Sequence, residues 1–256
     1  TVAGAKTNLE IPEIGTAANE VPVNGMLGDL AFQSSAGVVV DDLTVDGHFT
    51  GAVGKPMPVN GPSMRFDGVD DFVEFAAPVG SAFSFTNSTD DTPFSVSFWA
   101  KMEADAFDYG IVSKYGSSAS TQEWTIYTSS SGKLVFTVKD GGGSYVGFEA
   151  SDAMTEYIGQ YIYLTVTYAG AGPNSGNAFG SAFDGMSFFI NGKPTSIVEF
   201  SSGSYSGMSS TAQAVTIGRS YSATFSYKGE IRDVKLFNKE LSAAEVKTLC
   251  LSGSLP

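Results

Sequence analysis

Large apolar residues recur at every second position over several stretches of the chain. Phe94, Val96, Phe98, Ala100 and Met102 alternate with Ser95, Ser97 and Lys101, which predicts a strand with one buried and one mostly wet face. Trp99 interrupts the polar side and is expected to cover a second surface. Ile162, Leu164, Val166 and Tyr168 alternate in the same way with Tyr161, Tyr163, Thr165 and Thr167. Residues 123–128 and 133–139 flank Ser129-Ser130-Ser131-Gly132, the pattern of a hairpin, and Gly141-Gly142-Gly143 turns the chain into a further strand at 145–149. Around Asp67-Gly68, Met64 and Phe66 precede Phe72, Val73 and Phe75, a strong signal for a tight hairpin over residues 63–75. Shorter strands are expected at 186–191, 215–218 and 231–237.

Some segments depart from this alternation. Residues 1–25 mix Ala, Thr and Asn with Pro12 and Pro22 and carry few large apolar groups, which predicts an extended arm ahead of a domain over residues 26–256. Near the other end, Ser242-Ala-Ala-Glu245 reads as a capping box, in which Ser242 accepts from the Glu245 amide while Glu245 reaches back. Val246 and Leu249 then share one face of a short helix that must dock on the strands to persist, with Cys250 on or near that face. Residues 169–185 and 200–213, rich in Gly, Ser and Asn, are expected to be long loops, a place where function often resides.

Strands throughout with one short helix predict an all-β fold, an antiparallel β-sandwich. Composition agrees: 30 Gly, 19 Phe and 11 Tyr in 256 residues, with only 16% charged. The net charge of 14 − 27 = −13 repels phosphate backbones and argues against nucleic acid and against anionic lipid. No apolar run approaches the roughly 18 residues of a membrane helix, so membrane insertion is not expected. One cysteine excludes an internal disulfide, and one histidine excludes a His-pair metal site. Thr1 as the first residue fits loss of either an initiator Met or a leader.

An ordered series of motifs resembles the laminin-G-like, or concanavalin A-like, jelly rolls. It comprises Met64-Arg-Phe-Asp-Gly-Val-Asp-Asp-Phe-Val73, Phe94-Ser-Val-Ser-Phe-Trp-Ala100, Ile111-Val-Ser-Lys114 and Leu164-Thr-Val-Thr-Tyr168. Phe189-Ile-Asn-Gly-Lys193, Ile217-Gly-Arg219, Gly229-Glu-Ile-Arg-Asp-Val-Lys-Leu-Phe-Asn238 and Leu241-Ser-Ala-Ala-Glu-Val246 complete it. The resemblance implies two stacked antiparallel sheets, one concave and one convex. It does not fix function, because the fold serves lectins, adhesion modules, glycosidases and virion proteins alike.

The candidate chemistry follows from the residues and from this resemblance. Laminarinase-like relatives carry a Glu-x-Asp-x-Glu run on a concave strand, which places two carboxyls at the spacing that retaining hydrolysis needs. The nearest run here, Glu103-Ala-Asp105-Ala-Phe-Asp108, ends in Asp and falls where a strand gives way to a loop, so no catalytic residue is expected. His48, in Asp46-Gly-His-Phe, reads as a surface histidine. No cofactor is required, but calcium is a candidate because many family members bind one ion through hard oxygens. The candidate ligands are Asp41, Asp46 and Asp67, with Asp42, Asp70 and Asp71 nearby in sequence. Where family members often read Ile-Asp-Asp-Val and use the first Asp as a metal ligand, this chain reads Ile231-Arg232-Asp233-Val234. Simple alternation puts Arg232 on the inward face with Val234 and Leu236, where its guanidinium would take the metal's place and pair with an acid. For glycan binding, Tyr205, Tyr221, Phe225 and Tyr227 form a candidate aromatic site in the Ser/Gly-rich loops near the chain end.

These readings favour a non-enzymatic surface-displayed module, a structural or decoration component of a virus particle whose residues 1–25 contact protein neighbours. A secreted or cell-surface glycan-binding module is the alternative, and a glycoside hydrolase the remote one. The corresponding location is a virion surface or the extracellular space.

Overall fold

The computed structural model describes residues 26–32, 40–42, 49–53, 57–58, 63–75, 77, 79–103, 109–175, 178, 185–221 and 225–252, with side chains from Ser63 onward. The expected arm, residues 1–25, lies outside them, as do Asp46, His48, Asp105 and Asp108. In chain order the strands are β1 (Met26–Phe32), β2 (Val40–Asp42), β3 (Phe49–Val53), β4 (Met57–Pro58), β5 (Met64–Asp67), β6 (Phe72–Phe75), β7 (Phe94–Met102) and β8 (Gly110–Tyr115). They continue as β9 (Gln122–Thr128), β10 (Lys133–Lys139), β11 (Tyr145–Ala153), β12 (Tyr161–Tyr168), β13 (Met186–Ile190), β14 (Lys193–Pro194), β15 (Ile197–Ser202), β16 (Val215–Ile217) and β17 (Lys228–Phe237). One helix, α1 (Ala243–Ser252), follows. No helix among the described residues is long and apolar enough to cross a membrane.

The strands form a two-sheet antiparallel sandwich. Sheet I runs β14-β13-β12-β7-β17-β1-β2, with β5 also on β17 and β4 on β5. Sheet II runs β15-β11-β10-β9-β8-β16-β6-β3. The alternating apolar positions of β7 and β12 point between the sheets, where Phe98 and Leu164 are opposite one another. Phe94 lies at the centre, stacked on Phe85 at 3.9 Å and edge-on to Tyr168 at 5.7 Å. Trp124 from sheet II closes on the same pair and donates its ring N–H to the Phe83 carbonyl. Each such side chain removed from water contributes about 1.5–3 kcal/mol, so this layer is the main source of stability. The capping box forms: the Glu245 amide donates to Ser242 Oγ at 3.4 Å, and Ser242 N–H donates to the Glu245 carboxylate at 2.9 Å. Val246 then packs with Phe189, Phe237 and Leu241 on sheet I, and Leu249 adjoins them.

The structure corrects the sequence reading in three places. The Asp67-Gly68 turn does not close a hairpin. β5 pairs with β17 in sheet I, while β6 pairs with β16 and β3 in sheet II, so the turn carries the chain between layers. Gly68 (φ +84°) makes the corner, and Asp67 and Asp71 accept the N–H groups of Val69 and Asp67. Met64, Phe66, Val73 and Phe75 all reach the one core from opposite sides, which is why the pattern imitated a hairpin. Second, the loop read over 200–213 begins inside β15 (Ile197–Ser202), a strand paired to β11. Third, β17 bulges at Asp233 (φ +50°), shifting its register against β7. The extra residue puts Arg232 opposite Trp99, on the outer face of sheet I, while Val234 and Leu236 stay in the core. The guanidinium lies over the rings of Trp99 and Tyr161 at 5.1 and 4.9 Å.

Candidate functional site

The outward side chains of sheet II build an aromatic groove. Thr125 and Tyr127 of β9, Thr137 and Lys139 of β10, and Tyr145 of β11 occupy alternate positions whose inward neighbours are Ile126, Phe136, Val138 and Val146. Phe200 of β15 closes one side; it sits opposite Gly147, where a Cβ would come within 3.0 Å of its ring. Tyr115 of β8 and the segment with Ser220, Tyr221 and Phe225 close the other. The cavity is about 250 Å³.

Its rings and its one lysine form a row. Phe225 contacts Tyr221 at 4.9 Å, and Tyr221 contacts Tyr115 at 5.9 Å. The Lys139 ammonium lies over Tyr115 at 5.1 Å and over Tyr145 at 4.8 Å, and Tyr145 meets Phe200 at 6.1 Å. Burial holds the Lys139 amine below its ordinary value. At the floor, Thr125 is 4% exposed and its Oγ1 has no hydrogen-bond partner among the described residues. Among the described residues, no carboxylate lines the groove. A saccharide suits such a surface, because apolar sugar faces stack on rings while polar groups at the floor fix orientation.

Of the aromatic residues expected to form a ligand site, the structure brings Tyr221 and Phe225 into the groove and places Tyr205 and Tyr227 in the core. Tyr227 is fully buried, edge-on to Phe66 at 6.1 Å. Tyr205 is 8% exposed and donates its hydroxyl to the Asp91 carboxylate, which also accepts from Tyr168 OH at 2.7 Å and Met208 N–H at 2.6 Å. Burial pushes the Asp91 carboxyl up. A second buried anchor lies close by in sequence. Glu123 accepts from Lys114 Nζ and from the N–H and hydroxyl of Thr211, and Lys114 donates to the Thr211 carbonyl at 2.8 Å. Burial pushes Glu123 up and Lys114 down. The 205–211 segment, composed like a loop, is therefore tied to the core at both ends.

Tyr115, Tyr127, Lys139, Tyr145 and Phe200 were not among the expected site residues. A signal was present: the turn at 141–143 sets Lys139 directly opposite Tyr145, on the face that should be wet.

The acidic candidates are placed as follows. Asp67, Asp70 and Asp71 bring carboxylate oxygens within 4.8 Å of one another. Two of these carboxylates already accept backbone N–H groups of the corner. Asp41 lies on β2, and its side chain is outside the described residues. Glu103 is engaged by Arg65 and by Lys228 at 3.8 Å, as a surface ion pair rather than a cleft acid.

A two-layer antiparallel sandwich of this topology is a jelly-roll domain of the concanavalin A-like type. The chain belongs to the concanavalin A-like lectin/glucanases superfamily, whose family model matches residues 68–247. No curated protein matches it. Among solved structures, the botulinum neurotoxin serotype D binding domain is similar at 16% identity and a TM-score of 0.63, over 90% of this chain and 52% of that one. The binding domain of Paraclostridial Mosquitocidal Protein 1 is similar at 15% and 0.60, over 88% and 52%. A third is of botulinum neurotoxin type C, reported to depend for cell entry on two ganglioside molecules, at 18% and 0.62, over 90% and 52%. The chain thus spans about half the length of these relatives.

Proposed function

We propose that this chain is a carbohydrate-binding module that docks a saccharide in the aromatic groove of sheet II and performs no chemistry on it. The observation that carries the reading is the groove itself: a row of rings above a polar floor, with no carboxylate among the described residues of its lining. Glycoside hydrolysis generally needs two carboxyl groups flanking the bond, so the same lining speaks for binding over cleavage. The superfamily includes both lectins and glucanases, and the fold relatives are binding domains, one of them of a toxin that engages gangliosides. These relatives support the glycan-binding reading over the particle-surface one. An extracellular setting, facing cell-surface glycan, is the location that goes with it.

The test is a glycan array followed by titration calorimetry on the best hit, using the intact chain and the Tyr221→Ala and Tyr145→Ala variants. Stacking on one ring contributes on the order of 1 kcal/mol, so each variant should weaken binding about fivefold or more. An array with no hit, or release of reducing sugar from the bound glycan, would overturn the reading.

A further inference from the structure

The chain carries a net charge of −13, yet among the described residues the groove lining contains one cation and no acid. Several lysines elsewhere among the described residues are neutralised, while Lys193 and Lys247 are exposed to water. Lys101, Lys114, Lys133, Lys228 and Lys239 each sit against a glutamate. Lys139 does not: among the described residues its ammonium forms no ion pair, and it lies between the rings of Tyr115 and Tyr145 instead. Ring faces attract a cation but do not replace a counter-charge, and partial burial raises the cost of leaving it unpaired. Thr125 presents a second unmet demand in the same place, a hydroxyl buried at the floor without a partner among the described residues. A site that holds a half-buried cation and an unpartnered hydroxyl between aromatic walls is complementary to a ligand with one anionic group and a flanking sugar ring.

From this we infer that the groove selects an acidic saccharide, whose carboxylate or sulfate pairs with Lys139 while its ring stacks on the neighbouring tyrosines. The inference rests on the carbohydrate-binding reading and narrows it to a ligand class. Carboxylated and sulfated sugars share the chemistry that Lys139 recognises. They differ in geometry, so the experiment keeps them apart.

The experiment is an array in which each neutral oligosaccharide stands beside its carboxylated and its sulfated counterpart, probed with the intact chain and with Lys139→Met and Lys139→Arg. The expected result is a preference for acidic members that falls as salt rises. Lys139→Met should lose about ten- to a hundredfold in affinity for them, the worth of a charge-assisted hydrogen bond, with neutral members unaffected. Lys139→Arg should keep part of the preference. Because Lys139 makes no ion pair within the protein, Lys139→Met should unfold at the same temperature as the parent or higher. If Lys139→Met fails to fold, Lys139→Gln and the salt dependence of the parent carry the same test. Binding of neutral and acidic members alike, or a preference that survives Lys139→Met, overturns the acidic inference and leaves the carbohydrate reading standing. An array without any hit overturns both.

Discussion

The hydroxyl of Tyr205 donates to the carboxylate of Asp91, 114 residues earlier in the chain, inside the core. This contact makes Tyr205 a structural residue despite its Ser/Gly-rich surroundings. Tyr205→Phe removes one donor from a buried carboxylate and should cost about 1–3 kcal/mol of stability in urea denaturation. Saccharide affinity at the groove should not change. Loss of binding with stability intact would return Tyr205 to the ligand site.

Asp91 also gives a dependence on pH. Burial raises its carboxyl above the ordinary value of 3.8, so the folded chain holds this proton more tightly than the unfolded chain does. Its contribution is complete below about 3.8 and declines as pH rises, until the folded-state value is passed. The stability of the parent relative to Asp91→Asn should therefore fall with rising pH over that window and then level off. Unfolding free energies of both proteins across the acid range check this, and a difference that grows with pH would contradict it.

Gly110 positions one wall of the groove. A Cβ there would lie 2.1 Å from the backbone nitrogen of Ser220 and 2.6 Å from the carbonyl carbon of Arg219. Gly110→Ala must push that segment, and Tyr221 with it, off sheet II. The expected outcome is a loss of about 1–3 kcal/mol together with loss of saccharide binding. Unchanged affinity in a folded Gly110→Ala protein would show that Tyr221 contributes nothing.

Val246 anchors the terminal helix and is fully buried against sheet I. Truncation to alanine removes two methyl groups and should cost about 1.6 kcal/mol. Hydrogen exchange should rise selectively over α1, with binding on sheet II unaltered. Uniform acceleration across both sheets would mean that the helix is part of the global unfolding unit.

The sandwich was legible because its core-facing residues alternate strictly, as Phe94 to Met102 and Ile162 to Tyr168 show, although the faces of these strands expected to be wet, with Ser95, Ser97 and Thr165, are buried too. The helix was legible because Ser242 and Glu245 cap each other locally. Half of the aromatic site was not. Tyr221, Phe225, Tyr205 and Tyr227 all occupy similar Ser/Gly-rich sequence, and only tertiary partners separate the exposed pair from the buried one: Asp91 for Tyr205 and Phe66 for Tyr227. The groove tyrosines on β8, β9 and β11 carry no loop signature, and Phe200 sits on a short edge strand whose Ser201 and Ser202 run into the Ser/Gly-rich segment that follows. The corner at Asp67-Gly68 was misread because a hairpin and a layer crossing place the same apolar residues at the same spacing.

The single residue inserted at Asp233 leaves the two halves of β17 out of phase by one face. Any homologue lacking that insertion would, position for position, show the core a side chain that this protein shows its exterior. Against such a homologue, a gapless alignment through the last strand would transfer assignments beyond residue 233 to the wrong side of the sheet.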